Sequence, residues 1–518
     1  MSAALLPAAV FLSAAACLAV ELAIVRLAAP HVGQSLLPWT AAITTVLLGL
    51  TLGHVLGGRA GGPEAQAGRL KQFLAAACLW ASGATLAMPA LASPIARALA
   101  TEDGAGSVIG LTALSLPPSL AAGFVTPLAL RLQLAQGLPG LGRRVATIYA
   151  ASAAGSVAGT AAAGFWLLEQ IGAAGLAAMA AAAWAGIGLP FLPWRDGGTS
   201  ALLHAGMPLL AGMAAALAGE GSPCTVESRY TCIRYLDTRS PQGTRLRFMI
   251  LDEGVHSASD LDAPRTLHLG YAALTDHLAA AAFSRSTEPR ALVIGGGGAT
   301  LPRAWANGSP LVSVVVAELD PVVATQAATR MAATGPRLRT VIGDGRNVLR
   351  SLAPVPAQDV VLMDAYRTRT VPPHLVTREF GALVHARLNE AGVFLSNVID
   401  RGDTLLLARS LARTLSGDYA AVDIWLAEGA TTERTTNAVV AAWKNAGAAL
   451  RPDRITVPVS IMAAGEAPSA AHVTWRRFDS GSDPATPWGR CATLLTDDHA
   501  PVDRLLDGRA LCAGEQRQ

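Results

Sequence analysis

The stretch that decides the fold is residues 291–364. It reads ALVIGGGGATLPRA from 291, VVVAELDP from 314, VIGDGRNVL from 341 and DVVLMD from 359. Each piece is a short apolar run, rich in β-branched residues, that leads into glycine or a carboxylate, and helical sequence separates the pieces. Buried parallel strands are continuous apolar runs of this kind, and strands that alternate with helices build a parallel sheet. The pattern predicts an α/β domain with a doubly wound sheet of the type that binds nucleosides.

Residues 1–220 have a different composition, dominated by Ala, Leu, Gly and Val. Only 15% of the whole chain is charged, against about 25% in a typical soluble protein. A membrane span needs about 20 apolar residues. Seven runs are long enough, at 4–28, 38–58, 73–96, 108–130, 145–168, 172–193 and 200–219. The sequence therefore predicts an integral membrane bundle of seven helices, with the lipid bilayer as its partner.

The basic residues of this region predict its orientation. They fall in alternate loops on one side, which is expected to be cytoplasmic: Arg59, Arg69, Lys71, Arg131, Arg143, Arg144 and Arg195. With seven spans, the N-terminus and the soluble domain then lie outside the cytoplasm, and one helix more or fewer would reverse this result. Small residues are expected where two helix backbones approach closely, here Gly57, Gly58, Gly155, Gly159 and Gly164.

A run of glycines forms the turn from the first sheet strand into the following helix. Its members are Gly295, Gly296, Gly297 and Gly298. Glycine lets a backbone approach a ligand without an intervening Cβ, although a tight turn alone also explains such a run. The loop departs from the dinucleotide pattern G-x-G-x-x-G, since Thr300 replaces the last glycine. The glycines are therefore expected to bind a ligand only if other groups converge on them.

Carboxylates follow the glycines, each at the end of a predicted strand. Glu318 ends the second strand, where a carboxylate can accept both hydroxyls of a ribose. Asp344, followed by Gly345, comes after the third strand and can face an adenine amino group. Asp364 ends the fourth strand, and each acid alone can also be a cap or turn residue. Together they predict one crevice, and their order favours S-adenosylmethionine or a related nucleoside over a dinucleotide, which would not need an Asp after the third strand.

These ordered motifs resemble those of the spermidine synthase family. The family pattern IGGGDGG, EIDP, GDGR, a strand ending in Asp, and FTREF is similar to Ile294–Gly298, Glu318–Pro321, Gly343–Arg346, Asp364 and Val376–Phe380. The whole chain is similar to a bacterial membrane branch in which a helical bundle precedes such a domain. With the charge count, this resemblance implies a multi-pass inner-membrane protein whose soluble domain lies on the periplasmic side.

The resemblance implies transfer of an aminopropyl group from decarboxylated S-adenosylmethionine to an amine, with release of methylthioadenosine. Glu318 would hold the ribose, Asp344 the adenine, and Asp364 would orient or deprotonate the attacking amine. Tyr366 is expected to join Asp364 in the catalytic pocket, with a packing role as an equal alternative. Tyr271 is expected to cover the pocket together with His256, which precedes it in the chain.

Departures from the family pattern argue against a diamine substrate. The glycine loop lacks the Asp that the family uses for the aminopropyl amine, and Arg367 and Arg369 follow the predicted catalytic Asp. Arginines attract a carboxylate or phosphate and repel a diamine. S-adenosylmethionine itself, with its aminocarboxypropyl arm transferred or cleaved, is therefore the preferred substrate. A non-catalytic nucleoside or polyamine sensor or transporter is the alternative, and a methyltransferase is a third.

The predicted domains are the membrane bundle at 1–220, a small β module with a connecting helix at 221–288, and the nucleoside-binding α/β domain with a C-terminal tail at 289–518.

A net charge of +3 without a basic stripe predicts no nucleic-acid partner. No Cys or His cluster has the spacing of metal ligands. A homodimer is also expected. S-adenosylmethionine is made in the cytoplasm, which conflicts with a periplasmic domain. Three explanations stay open: the helix count is off by one and the domain is cytoplasmic, the bundle admits the ligand, or the ligand is a different molecule.

The soluble part contains Cys224, Cys232, Cys491 and Cys512. An even number of cysteines outside the cytoplasm permits two disulfides in three possible connectivities, of which Cys224–Cys232 with Cys491–Cys512 is preferred. Four free thiols are the alternative. In the tail, Asp497-Asp498-His499 is interpreted as a helix cap, with a functional acid pair beside a histidine as the alternative.

Overall fold

The structure of the protein is a computed structural model. It describes residues 5–32, 36–60, 66–99, 105–135, 140–192, 199–218, 223–240, 243–308, 310–352, 357–367, 370–429, 435–461, 469–478, 488–489 and 491–507. The chain forms two compact units, Met1–Arg234 and Tyr235–Gln518.

The first unit is a helical bundle. Its helices are α1 (Leu5–Val32), α2 (Leu36–Ala60), α3 (Ala67–Ala98), α4 (Ala105–Gly123), α5 (Val125–Leu134), α6 (Leu141–Ala162), α7 (Leu168–Gly188) and α8 (Thr199–Ala218). The predicted spans fall on these helices, with α4 and α5 sharing the fourth, and a π-helical turn joins α6 to α7. Among the residues that the structure describes, five stretches are long and apolar enough to cross a membrane: Leu5–His31, Pro38–Ala60, Ala67–Ile95, Val108–Leu134 and Leu141–Phe191.

The last of these stretches is 51 residues long, and it turns back on itself. Gly155 in α6 packs against Phe11 of α1, whereas Trp184 in α7 donates a hydrogen bond to the Ser13 hydroxyl at 3.0 Å. Positions 155 and 184 therefore lie beside the same turn of α1, which requires a reversal of the chain between them. The reversal includes Gly172, which has a φ of 67° inside α7.

Several glycines of the bundle lie at close contacts between helix backbones. A Cβ added to Gly155 or to Gly159 would lie 2.2 Å from a carbonyl oxygen of α1. Gly53 and Gly123 face each other in a similar way, with their backbones in contact between α2 and α4. The prediction of close helix contacts is confirmed for Gly155, for Gly159 and for Gly57, whose added Cβ would lie 2.9 Å from the backbone of Phe124. It is wrong for Gly58, where an added Cβ meets nothing within 4 Å, and Gly164 makes only an ordinary contact with the Leu22 side chain.

A short turn follows the bundle and contains β1 (Val226–Glu227). The predicted disulfide Cys224–Cys232 closes this turn, with the two Cα atoms 5.3 Å apart. Cys491 is also disulfide-bonded, and its predicted partner Cys512 lies outside the described residues. The disulfide prediction is therefore confirmed for the first pair.

This turn holds the reversal of α7 in place. The Glu227 carboxylate accepts the backbone N–H of Ala173 at 3.0 Å, directly after Gly172. Arg229 forms an ion pair with Glu169 on the other side of the reversal. The helix that begins at Ala173 thus receives its cap from a residue far along the chain.

The second unit begins with a small sheet, in which β2 (Cys232–Arg239), β3 (Arg245–Leu251) and β4 (Gly254–Asp260) lie side by side in that order. β3 and β4 pair antiparallel as a hairpin. Helix α9 (Gly270–Phe283) follows. Both β4 and α9 contribute side chains to the candidate site described below.

The main sheet has nine strands, in the order β12-β13-β10-β11-β9-β8-β5-β6-β7. Their bounds are β5 (Arg290–Ile294), β6 (Ser313–Glu318), β7 (Leu338–Ile342), β8 (Gln358–Met363), β9 (Leu388–Asp400), β10 (Ala421–Ala427), β11 (Thr436–Trp443), β12 (Arg454–Ile461) and β13 (Ser469–Arg477). Strands β7, β6, β5, β8 and β9 are parallel, and the others pair antiparallel. After β7 the chain crosses to the other side of β5, so the strand order reverses between β5 and β8.

Helices cover both faces of the parallel strands. They are α10 (Thr300–Ala306), α11 (Pro321–Arg330), α12 (Gly345–Ser351), α13 (Arg378–Arg387), α14 (Leu406–Leu415) and α15 (Val502–Asp507). Alternate side chains of β5 enter different cores: Ala291 and Val293 pack with α9 and α10, whereas Leu292 and Ile294 pack with α12, α13 and α14. The chain therefore combines a helical bundle with a Rossmann-like mixed sheet, to which β10–β13 add an antiparallel extension that the sequence did not predict.

Candidate functional site

The candidate site lies at the carboxyl ends of β5 and β8, where the strand order reverses. Open α/β sheets bind ligands at this point. The N–H of Asp364, directly after β8, donates to the carbonyl of Ile294 at 2.8 Å. A Cβ on Gly295 would lie 2.3 Å from the carbonyl oxygen of Asp364, and Gly295 has a φ of 93°. Glycine is therefore required at 295 for the loop and the end of β8 to meet.

The other glycines of the loop are also explained by contacts within the protein. A Cβ on Gly296 would lie 2.9 Å from Glu318 Oε2. A Cβ on Gly297 or Gly298 would lie 3.0 or 2.7 Å from the nearest atom of Ser257 on β4. The Ser257 hydroxyl accepts the N–H of Gly298 at 2.7 Å. The glycine run thus follows from tight packing, and it does not by itself identify a ligand.

Glu318, at the end of β6, is only 9% exposed. Its Oε2 accepts the N–H groups of Gly296 and Gly297 at 2.8 and 3.2 Å, and its Oε1 accepts that of Asp320 at 2.9 Å. Burial raises the pKa of Glu318 above its ordinary value, and the backbone hydrogen bonds oppose this rise. A carboxylate has about four acceptor positions, so one more ligand hydroxyl can bind while the loop keeps this conformation. Binding both hydroxyls of a ribose would require one of the loop bonds to open.

The carboxylate of Asp364 receives hydrogen bonds from two elements. Tyr271 on α9 donates to Oδ2 at 3.2 Å, and Asn397 Nδ2 on β9 donates to Oδ1 at 2.8 Å. Removal from solvent raises the pKa of Asp364 to about 6, and the two hydrogen bonds oppose this rise. The side chain is partly exposed. A carboxyl group with a pKa close to neutrality suits the transfer of a proton.

Tyr366 lies just beyond β8, and its hydroxyl is engaged by the backbone of β9. The hydroxyl donates to the carbonyl of Asn397 at 2.5 Å and accepts the N–H of Ile399 at 2.9 Å. These bonds extend the β8–β9 pairing beyond its last backbone pair, Met363 with Ser396. Burial holds the pKa of Tyr366 well above its ordinary value. The contacts favour a structural role, and the predicted catalytic role of Tyr366 stays a prediction.

Asp344 and Gly345 lie between β7 and α12. Asp344 caps α12 by accepting the N–H of Asn347 at 3.1 Å, and its second oxygen lies 2.7 Å from His374 Nε2. A Cβ on Gly345 would lie 2.1 Å from a side-chain carbon of Ile294, so this glycine allows α12 to pack against β5. The adenine contact of Asp344 stays a prediction, because both of its oxygens have partners in the protein.

Asp497 in the tail pairs with the arginine of the GDGR motif. Both oxygens of Asp497 accept from Arg346 at 2.7 Å, and the Thr377 hydroxyl also donates to it at 2.7 Å. The hydrogen bond from Arg346 lowers the pKa of Asp497 to about 2. The interpretation of Asp497 as a helix cap is wrong, because this carboxylate joins the tail to the α12 segment.

Two asparagines of the site were not predicted. Asn437 on β11 donates its Nδ2 to Asn397 Oδ1 at 2.9 Å, behind the contact between Asn397 and Asp364. Asn397 is 2% exposed. Asparagine is depleted in β-strands, so its presence in two apolar strand runs is the only hint that the sequence contains.

The residues expected to cover the pocket lie beside it. Tyr271 contacts Asp364 directly. His256 on β4 is close to Gly297, and burial lowers its pKa to about 4, so its ring is neutral at neutral pH. Arg367 is exposed, and Arg369 lies outside the described residues.

Comparison with curated proteins gives a partial match. Over 134 residues, the chain is 31% identical to the "Polyamine aminopropyltransferase" of Vibrio vulnificus (strain CMCP6). The matched residues make up 25% of this chain and 44% of that protein. Part of this chain is therefore similar to a polyamine aminopropyltransferase. The chain spans less than half the length of this relative, and no family model matches the chain.

Solved structures that match part of the chain do so with low TM-scores. A probable spermidine synthase from Corynebacterium glutamicum ATCC 13032 is 23% identical with a TM-score of 0.38, covering 41% of this chain and 77% of that chain. Spermidine synthase from Thermotoga maritima is 19% identical with a TM-score of 0.30, covering 42% and 73%. Human methyltransferase-like protein 13, in complex with SAH, is 21% identical with a TM-score of 0.31, covering 35% and 85%.

Proposed function

We propose that the second unit is a spermidine synthase-like transferase that acts on S-adenosylmethionine or its decarboxylated form. The observation that carries this proposal is the Asp364 carboxylate, which Tyr271 and Asn397 hold at the point where the strand order reverses. With a pKa of about 6, this group is mostly ionised at neutral pH and still accepts a proton. The similarity to a polyamine aminopropyltransferase supports the same reaction class.

The residues around the glycine loop fit a nucleoside that carries a positive charge. Glu318 keeps an acceptor position for a ribose hydroxyl, and Asp344 is the proposed partner of the adenine. The two groups that donate to the carboxylate of Asp364, Tyr271 and Asn397, are neutral. An ionised Asp364 therefore keeps its negative charge available for a sulfonium or an attacking amine.

In the proposed reaction, a nucleophile attacks the carbon of the transferred arm that is bonded to sulfur. The new bond forms as the carbon–sulfur bond breaks, and methylthioadenosine leaves with the electron pair of that bond. An amine nucleophile gives its proton to Asp364. If the carboxylate of the substrate's own arm attacks, no proton has to be removed and the arm is released as a lactone.

We further propose that the first unit is a multi-pass bundle in a bacterial inner membrane, with the second unit on the periplasmic side. Five stretches have the length and apolarity of membrane spans. Large apolar side chains on them are exposed, including Phe165 at 79% and Trp166 at 62%. The disulfide Cys224–Cys232 supports an oxidising compartment for the turn that follows the bundle. A homodimer stays a prediction.

The test uses the full-length protein in detergent. Calorimetric titration with S-adenosylmethionine and with methylthioadenosine, followed by chromatography of the mixture, measures binding and turnover separately. We expect binding of both ligands and release of methylthioadenosine. Asp364→Asn keeps the shape of the side chain and can still bond to both neighbours, so it should bind methylthioadenosine normally while turnover falls by at least about 100-fold.

The matched control is Asp262→Asn, which removes the carboxylate of an exposed ion pair with Arg245 and should leave binding and turnover unchanged. Turnover at the wild-type rate in Asp364→Asn would refute the proposed role of this carboxylate. Tight binding of either ligand by the wild-type protein without any release of methylthioadenosine would replace the transferase with a sensor or carrier.

A further inference from the structure

The carboxylate of Asp364 ends a chain of side-chain amides that crosses two strands. Asn437 Nδ2 donates to Asn397 Oδ1 at 2.9 Å, and Asn397 Nδ2 donates to Asp364 Oδ1 at 2.8 Å. A carboxylate only accepts hydrogen bonds, so the amide of Asn397 must present its nitrogen to Asp364. Its oxygen then faces Asn437, which must donate. The partners at both ends therefore fix the direction of this relay.

The pairing of β9 with β11 brings the two amides together. In this antiparallel pair, Asn397 is opposite Val439 and Asn437 is opposite Ile399. The two asparagines are therefore diagonal neighbours on one face of the sheet, at a separation that side chains can bridge. Burying an amide is costly unless it is hydrogen-bonded, and Asn397 is 2% exposed. The relay satisfies this buried amide.

Tyr366 fixes the backbone that carries the relay. Its hydroxyl bonds to the carbonyl of Asn397 and to the N–H of Ile399, at the point where β9 extends beyond its backbone pairing with β8. Asn397 is thus held in two ways: its side-chain amide bonds to Asp364 and Asn437, and its main chain bonds to the hydroxyl of Tyr366.

We propose that Asn397 and Asn437 are positioning residues that hold the ionised carboxylate of Asp364 in its reacting orientation. The relay keeps Oδ1 directed toward β9 and leaves Oδ2 directed toward Tyr271. The inference rests on the proposed function for the reaction, but the relay acts on the carboxylate itself and can be measured without turnover.

Two tyrosines next to Asp364 are neutral at neutral pH. Among the described residues, Tyr271 from α9 donates to Asp364, and the charge of Asp364 acts on Tyr366 at the end of β8. Asp400 at the end of β9 also acts on Tyr366, and burial raises the pKa of Asp400 to about 6, so this acid is mostly ionised at neutral pH. Burial holds the pKa of both tyrosines well above the ordinary value. Burial raises the pKa of Asp364 and its two donors oppose this rise, so removing one donor should raise the pKa further.

The experiment measures the protonation of Asp364 in the full-length protein by pH-difference infrared spectroscopy. The band of the protonated carboxyl group is assigned by its loss in Asp364→Asn. Asn397→Leu removes a donor to the carboxylate of Asp364. We expect the midpoint of the Asp364 titration to rise by about one pH unit, which is a tenfold change in the ionisation constant. If the protein turns over substrate, the acidic side of the pH profile of kcat should shift by the same amount, while KM changes little.

The second variant, Asn437→Asp, tests the direction of the relay. An aspartate at 437 can only accept, so the amide of Asn397 must turn its nitrogen toward 437 and its oxygen toward Asp364. Two acceptors then face each other unless Asp364 is protonated. We expect a rise in the midpoint at least as large as in Asn397→Leu, and a smaller one in Asn437→Leu, which leaves Asn397 free to keep its orientation.

The control variant is Asn389→Leu. Asn389 on β9 donates to Asp359 on β8 at 2.8 Å, which is the same kind of contact at the opposite end of the same two strands. This variant should lose stability without moving the midpoint of Asp364. An unchanged midpoint in both Asn397→Leu and Asn437→Asp would overturn the relay. A shifted midpoint in a protein that never releases methylthioadenosine would leave the relay standing and refute the proposed function alone.

Discussion

The bundle and the sheet unit each contain a sharp glycine turn stabilised by a distant carboxylate. In the bundle, Gly172 has a φ of 67°, and Glu227 accepts the next backbone N–H. In the sheet unit, Gly295 has a φ of 93°, and Glu318 accepts the next two backbone N–H groups. A glycine turn with an acid beside it is therefore a structural device in both units, and it does not by itself mark a ligand site.

The neighbouring charges distinguish the two turns. Near Glu227, the acid Glu169 is paired with the cation Arg229. At the turn of the sheet unit, Gly295 meets the backbone of Asp364, whose carboxylate has two neutral hydrogen-bond donors, Tyr271 and Asn397. Of the two turns, the one in the sheet unit therefore lies beside an acid whose described donors are neutral, and it lies where the strand order reverses. This combination identifies the candidate site.

The largest effect is expected from placing a side chain at the turn of the sheet unit. In Gly295→Ala, the Cβ would lie 2.3 Å from a backbone oxygen, which cannot move without distorting β8. Strain at positive φ and overpacking together should cost about 3 kcal/mol or more of unfolding free energy. In Gly172→Ala, the Cβ meets the end of the Glu227 side chain instead, so the loss should be smaller.

Hydrogen–deuterium exchange of the full-length protein in detergent reports the two units separately. Gly417→Ala is the control, because a Cβ at Gly417 meets nothing within 4 Å. If Gly172→Ala lost as much unfolding free energy as Gly295→Ala, a clash with backbone would be no more costly than a clash with a side chain, and the two turns would not differ in this respect.

An intermediate effect is expected from replacing each carboxylate by its amide. In Glu318→Gln or Glu227→Gln, an amide nitrogen can face a backbone donor, and an unsatisfied buried N–H costs about 1–3 kcal/mol. Each variant should destabilise its own unit. Only Glu318→Gln should also weaken binding of methylthioadenosine, by about tenfold or more in calorimetry, because only Glu318 is proposed to bind the nucleoside. Equal weakening by Glu227→Gln would contradict the assignment of the site.

The smallest effect is expected at the ion pair of the bundle. Arg229 and Glu169 have side chains that are 42% and 30% exposed, and solvent-exposed ion pairs contribute little to stability. Arg229→Ala should therefore change exchange around Gly172 only slightly, and much less than Glu227→Gln. A larger effect than that of Glu227→Gln would make the ion pair, rather than the cap, the main stabiliser of the reversal.

Local sequence patterns were sufficient to predict the parallel strands and the turn after β5. The apolar runs that end in Gly295, Glu318 and Asp364 are each contained in a few consecutive residues, and parallel strands bring such ends to one edge. The helices of the bundle were predictable for a similar reason, because length and apolarity are local properties. The disulfide Cys224–Cys232 was also predictable, since its cysteines are close in sequence.

The partners of the acids were not predictable from the sequence. Asn397 meets Asn437 only because β9 and β11 pair in one register, and no local pattern sets that register. Glu318 was interpreted as a ribose ligand, whereas its main contacts are backbone groups of the loop that it stabilises. Such contacts depend on which elements become neighbours after folding, and the same reason explains why Asp497 was misinterpreted.

The cap on α7 has a consequence for biosynthesis. Glu227 follows Ala173 by 54 residues, so the ribosome completes both α7 and α8 before it adds the residue that caps the reversal at Gly172. During translation the N–H of Ala173 must find water or another acceptor, and the hairpin of α6 and α7 reaches its final form only when the chain returns. A gene truncated after residue 220 would encode every predicted span and still lack this cap.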